Sequence, residues 1–522
     1  MIGSPDVAVF IGLLIAVAVV AVAVRFVNVP YSVALVLTGL ALALAPNAPS
    51  VQLTPAVILT VFLPVLLFHG AYNLDLADVR ANFTPVALFA VPGVLVTAAL
   101  VGAALHYGAA LQWGTALIFG AIVGATDPVA VLAIFGEVGA PRRLATIVSA
   151  ESLFNDGTAL VIFSTILGVV TSGAFNGGAT VERFVIVVAG SLALGAAVGV
   201  LGGTVMARLD DALIETTITV ILAYGGYLLA DRLTVSGPLE TVMAGLVLGS
   251  RGVQVMSATT LLQARATWQF LDFLFNSLLF LLVGLAVRPL GVSAVLGFGP
   301  TVWKALAVSI VAVVVARALV VWAVAHLLAH MGRPLPRGWR TVVTWAGLRG
   351  AVSLAAALSL PDKLPDRALL LVLTFGIVLF TLLGQGLTIG RVMAWLHIGG
   401  DDASRHEFEL ALGRLRATEA ALHEVGALRD GQALDTNAAR RLEGEYAERE
   451  RALRQQVATL RHGAGTLERQ REVEAQRRLL RVQREAVRHS YAYGQISNTS
   501  LRELVAELDE ELAKLEPALE NE

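Results

Sequence analysis

Through the first 400 residues, long apolar blocks alternate with short polar interruptions; the last 122 residues are polar, with apolar side chains three and four apart. Blocks such as VAVFIGLLIAVAVVAVAV and VVAGSLALGAAVGVLGGTV are too long and too uniformly apolar for the half-buried helices of a soluble domain. A bilayer core of roughly 30 Å asks for about 20 such residues per helix. That ruler predicts about thirteen spans, centred near residues 16, 38, 63, 95, 125, 158, 194, 221, 242, 278, 315, 350 and 381. The N-terminal block has no cationic leader and no clear cleavage site, so it is expected to be the first span and not a signal peptide. From Asp401 onward, HEFELALGRLRATEAALHEV and LRELVAELDEELAKLEPALE have helical periodicity, with breaks expected near Gly426, Gly431, Gly463 and Gly494. The expected fold is an all-α membrane protein of about thirteen transmembrane helices (1–400), followed by a charged, helical, cytoplasmic C-terminal domain (401–522).

Composition sharpens this division. The chain is 56% hydrophobic and 15% charged, and residues 1–400 hold only 35 of the charged side chains while the last 122 hold the remaining 43. A net charge of -2 with no basic block argues against a nucleic-acid partner. The absence of cysteine removes disulfides, thiolate metal sites and cysteine nucleophiles. Placing the N-terminus outside puts Arg25, Arg80, Arg142, Arg143, Arg208, Arg251, Arg265, Arg333, Arg337, Arg340 and Arg391 inside. Only Arg183, Arg232, Arg288, Lys304, Lys363 and Arg367 then face outward, so the positive-inside bias predicts a cytoplasmic C-terminus.

The candidate chemistry lies in the few ionisable residues far from the span ends: Asp127, Glu151, Asp156, Arg317 and Arg349, with His69 as a titratable addition. Lipid offers such groups no solvent, so they are functional candidates by default. Three carboxylates against two guanidinium groups leave one negative charge unmatched. A buried unmatched carboxylate either takes a proton or coordinates a small cation. The two options exclude each other at one pair of oxygens, which is the chemical requirement for an exchanger.

Glu151 and Asp156, in ESLFNDGTALV, lie about 140° apart on a helix at 100° per residue and cannot easily share one ion. Glu151 is therefore expected to be the fixed partner of an arginine, and Asp156 the exchangeable carboxylate. Ser152 shares the face of Asp156 and could add an oxygen ligand. Asn155 cannot carry a second proton, which favours one proton per monovalent cation. In GATDPVAV, Pro128 should break the helix at Asp127, freeing the Thr126 carbonyl and letting Asp127 cap the following half-helix. WAGLRGAVSLA places Gly347 and Gly350 around Arg349 in the second-last span and is the candidate counterpart of that break.

GATDPVAV, ESLFNDG and GLRGAVSLA, in this order and on these spans, resemble the NhaP-type monovalent cation:proton antiporters, relatives of the eukaryotic sodium/hydrogen exchangers. The similarity covers about residues 5 to 398. It implies an antiporter core with two crossed, discontinuous helices, a separate dimerisation bundle and a homodimer in a bacterial inner (plasma) membrane. Asp156 would carry the proton and Na+ in turn. Asp127, the Thr126 main-chain oxygen and the Ser152 hydroxyl would complete the site, and Glu151 would pair with Arg317, with Arg349 close by. The Asn155 form of the ND pair goes with electroneutral exchange, here serving pH and sodium homeostasis without a cofactor. One departure is His69, on the third span where many members carry an acidic residue. An imidazole is no hard oxygen ligand and titrates near neutral pH, so the cation could instead be K+ or another alkali ion. A cation channel and an intramembrane acid/base enzyme are the rival classes. The first lacks any filter-like sequence, and the second is disfavoured by the helical phase of its two carboxylates.

Overall fold

A computed structural model of the chain describes residues 4–26, 29–45, 54–173, 176–285, 299–399, 401–430, 434–462, some positions between 476 and 495, and 497–514. Every regular element among them is helical. The chain divides into two compact units, residues 1–399 and 400–522.

The first unit runs α1 (Ser4–Ala23), α2 (Tyr31–Leu44), α3 (Pro55–Tyr72), α4 (Leu76–Ala81), α5 (Phe83–Ala109), α6 (Trp113–Ile122), α7 (Val129–Val138) and α8 (Arg142–Ser172). It continues through α9 (Gly177–Met206), α10 (Ala212–Arg232), α11 (Gly237–Val255), α12 (Ala258–Leu285), α13 (Pro300–His330), α14 (Arg337–Trp345), α15 (Ala351–Leu358) and α16 (Arg367–Trp395). Among the described residues, nine helices are long and apolar enough to cross a bilayer as single rods. Helix covers every span centre inferred from the sequence except 125 and 350. Those two fall where the chain leaves the helix, between α6 and α7 and between α14 and α15. Arg288 lies outside the described residues.

Large apolar side chains stand on the outer faces. Val181 is 64% exposed, Leu201 63% and Leu213 68%, which in water would forfeit the burial that folds a soluble protein and in lipid costs nothing. Lipid also supplies no hydrophobic drive between helices, so close contact rests on small residues. A Cβ added to Gly284 of α12 would lie 2.7 Å from the Leu40 nitrogen and 2.8 Å from the Gly39 Cα of α2, so only glycine allows these backbones to meet.

Three helices carry a π-turn, at Ile58–Phe62, Phe89–Gly93 and Thr381–Gln385. The second contains Pro92, which has no N–H to donate. Carbonyls and hydroxyls near these wider turns become available to neighbours. The Ala90 carbonyl accepts from the Thr158 hydroxyl (2.5 Å), and the Thr381 hydroxyl accepts from the Arg349 N–H (3.1 Å).

In the second unit α17 (Asp401–Asp430) packs against α18 (Thr436–His462), and α19 (Asn498–Lys514) follows. Buried Ala411, Leu415, Val425, Ala439 and Leu453 form the apolar seam. Arg429 pairs with Glu443 (2.7 Å) and Arg454 with Glu419 (3.3 Å) across it. The break expected near Gly426 does not occur. That glycine lies inside α17 with open space around it, where the helix absorbs a cost of about 1 kcal/mol relative to alanine. Gly431, Gly463 and Gly494 lie outside the described residues.

Candidate functional site

The site is built from two broken helices and the unbroken α8. After α6 the chain is irregular until Val129, because Pro128 cannot donate a helical hydrogen bond and keeps Asp127 out of helical geometry. The Asp127 carboxylate accepts from the Val129 N–H (3.0 Å), satisfying one of the unpaired donors at the start of α7. Its own N–H donates to the Leu348 carbonyl (2.9 Å), in the second break. The two breaks therefore meet backbone to backbone. Gly350 makes this possible, since a Cβ there would collide with the Asp127 carboxylate.

Helix α8 pins the first break from the side. Asn155 accepts from the Thr126 N–H (3.2 Å), and its amide donates to the Thr126 hydroxyl (2.6 Å) and to Glu151 Oε1 (3.4 Å). The Ser152 hydroxyl is 3.0 Å from that of Thr126. Among the described residues no backbone N–H bonds to the Thr126 carbonyl oxygen, so one strong acceptor is left at membrane depth.

Glu151 and Arg317 form a bidentate pair, with Nη1 at 2.5 Å and Nη2 at 2.8 Å from the two carboxylate oxygens. Arg317 also donates to the Val343 carbonyl (3.3 Å) and lies over the Phe89 ring. Arg349 is held differently: its Nη1 donates to the Gly347 carbonyl (2.6 Å), and its Nε is buried without a partner. It makes no direct bond to Glu151 or Asp156.

Of Asp127, Glu151 and Asp156, the last is the carboxylate left over. Among the described residues it makes no hydrogen bond and no ion pair, and it lines a cavity of about 470 Å³ together with Thr126, Asp127, Gly350 and Ser353. Glu151, Ser152 and Asn155 lie behind this lining, on the face of α8 that grips Thr126. The cavity reaches Asn73 and Leu74 at the end of α3 and Ser149 near the start of α8, so it extends toward one end of the bundle. A second cavity, of about 770 Å³, extends toward the opposite end, lined by Leu160, Ser172, Asn176, Arg183, Asp231 and Ser359 among others. About one turn of α8, residues 157–159, separates Asp156 from Leu160. There Gly157 packs so tightly on Leu239 that a Cβ would lie 2.5 Å from it.

His69 also lines the first cavity, and opposite it stands a residue that the span ruler passed over. Asp272 Oδ2 is 4.0 Å from His69 Nε2, and Asp272 Oδ1 accepts from the Asn276 amide (2.8 Å). Hydropathy centred this span near 278, which left Asp272 close to its edge, whereas α12 begins at Ala258 and puts Asp272 at its middle. The ruler also left out Glu215, toward the edge of the span centred near 221, and Glu240, close to the centre near 242; both sit in first turns yet are 1% and 0% exposed. Among the described residues no three His, Asp or Glu side chains converge as a metal cluster.

Comparison with known proteins bears directly on this geometry. Residues 12–395 match the family described as sodium/hydrogen exchanger, transmembrane. The chain is 35% identical over 407 residues to the Na+/H+ antiporter ApNhaP of Aphanothece halophytica, spanning 77% of this chain and 76% of that one. It is 38% identical over 356 residues to the Na+/H+ antiporter NhaP of Pseudomonas aeruginosa, spanning 66% and 82% respectively. Its fold is similar to that of the sodium proton antiporter MjNhaP1 from Methanocaldococcus jannaschii, with a TM-score of 0.62 at 20% identity over 75% of this chain and 98% of that one.

Proposed function

The chain belongs to the sodium/hydrogen exchanger family, and from that premise we propose that it is a secondary transporter exchanging one proton for one Na+ at Asp156. The observation that carries this reading is the inequality among the buried carboxylates. Glu151 is neutralised by Arg317 and Asp127 is tied to a helix start, but Asp156 faces a cavity with no partner. A carboxylate so placed must hold either a proton or a metal ion, and two ions competing for one site are thereby coupled.

Na+ at Asp156 would find further oxygens in the free Thr126 carbonyl, the Asp127 carboxylate and the Ser152 hydroxyl. The Ser152 hydroxyl can keep its contact with the Thr126 hydroxyl as donor and still offer a lone pair to the ion. Asn155 contributes by holding the break in shape and by adding no second charge, in keeping with electroneutral exchange. The paired Glu151 and Arg317 brace α8 against α13 while the charge on Asp156 changes. Alternating exposure is supported by two cavities that approach each other from opposite ends across one helical turn.

With the N-terminus outside and the second unit cytoplasmic, the cavity at Asp156 faces the cytoplasm. Residues 1–400 are then the antiporter domain and 401–522 a cytoplasmic helical domain, working as a homodimer in the plasma membrane for pH and sodium homeostasis. The test is Asp156→Asn in proteoliposomes: the variant should insert and fold but show no Na+-dependent proton flux, and retained flux would refute the assignment.

A further inference from the structure

We propose that Asp272 is a second cation-binding station in this cavity, taking an alkali cation between the bulk solution and Asp156 and so setting the apparent affinity for it. The inference rests on the exchanger reading above.

The geometry leaves Asp272 open on one side. Only Oδ1 is engaged, by Asn276 of its own helix; Oδ2 points toward His69 at a distance beyond direct hydrogen bonding. The His69 side chain is 19% exposed and that of Asp272 30%, so water and ions reach the gap between them. On the His69 side, the Asn73 amide nitrogen lies 3.1 Å from His69 Nε2 and donates to the His69 carbonyl (3.0 Å), a local contact within the last turn of α3. Among the described residues no lysine or arginine comes within 4 Å of Asp272, and Asp127 lines the same cavity.

Asp272 stands beside His69, one helical turn from Asn73 at the end of α3, whereas Asp156 lies two turns from Ser149, so a cation entering from that end meets the carboxylate oxygen of Asp272 and the amide oxygen of Asn276 in the cavity they share with Thr126, Asp127 and Asp156. A carboxylate in a low-dielectric cleft concentrates cations by tenfold or more, which affects loading far more than the turnover of a loaded site.

The experiment is Na+-driven proton flux in proteoliposomes at fixed pH for wild type, Asp272→Asn and Asp272→Glu, with Na+ titrated against thermal unfolding of each purified protein. Asp272→Asn should raise half-saturating Na+ by about tenfold while flux at saturating Na+ falls far less, and it should weaken the Na+ stabilisation in parallel. Asp272→Glu should restore most of both. An unchanged half-saturation in Asp272→Asn, or a loss confined to maximal flux, would overturn the proposal. If the Asn variant does not fold, failure of folded Asp272→Glu to stay within a few-fold of wild type in Na+ affinity would do the same. Proton flux retained in Asp156→Asn would instead refute the exchange reading, so the two failures are distinct.

Discussion

The Glu151–Arg317 pair makes a quantitative claim on stability. Glu151 is 1% exposed and Arg317 7%, and their charge centres lie about 4 Å apart, where an effective dielectric of about 20 gives roughly 4 kcal/mol of attraction. Most of that offsets desolvation, so the pair as a whole contributes little, but removing one member strands the other and should cost about 3–5 kcal/mol. The two halves are unequal. Arg317→Ala leaves Glu151 with only the Asn155 amide at 3.4 Å, whereas Glu151→Ala leaves Arg317 the Val343 carbonyl and the Phe89 face. Arg317→Ala should therefore be the more damaging variant. The double variant should be less destabilised than the sum of the singles by about 1–3 kcal/mol. Unfolding in detergent mixtures, followed by tryptophan fluorescence on all four proteins, measures this coupling. Additivity within about 0.5 kcal/mol would refute the pairing as an energetic unit.

Four further outcomes follow from the same geometry. Gly350→Ala forces a methyl group into the Asp127 carboxylate and should reduce flux by more than tenfold, whereas Gly136→Ala, in open space on α7, should leave it near wild type; equal flux in the two would contradict the close approach of the breaks. Asn155→Ala removes three hydrogen bonds around Thr126 and Glu151, at a cost of about 1–3 kcal/mol readable by thermal unfolding. Asn155→Asp places a second carboxylate 3.4 Å from Glu151, so it should unfold at lower temperature than Asn155→Ala; the reverse order would show that Asn155 does not face Glu151. His69→Glu adds a carboxylate opposite Asp272 and should lower half-saturating Na+ several-fold in a vesicle assay run with each alkali chloride, and no change for any of them would mean that cations do not pass between these side chains.

Much of this could be read along the chain because the signals are local. Pro128 breaks its helix whatever surrounds it, and so the centre at residue 125 fell in the gap between α6 and α7. The 140° phase between Glu151 and Asp156 is a property of any α-helix, and it separated a residue facing Arg317 from one facing the cavity before their partners were known. Asp272 escaped notice for an equally local reason. A hydropathy window places a span where apolar density peaks, but α12 runs 28 residues and begins well before that peak.

The sequence by itself determined that this chain lives in lipid, that a helix must break at Pro128, and that Asp127, Glu151 and Asp156 carry one negative charge more than Arg317 and Arg349 balance, with helical phase pointing to Asp156. Only the tertiary structure supplied the partners. Glu151 meets Arg317 across 166 residues, Asp127 meets Leu348, and Asp272 meets His69, and none of these pairings leaves a trace in periodicity or composition. The physical reason is that a charge in a membrane is defined by what stands opposite it. Long-range packing sets that partner, and with it whether a carboxylate serves as a strut or remains open to an ion.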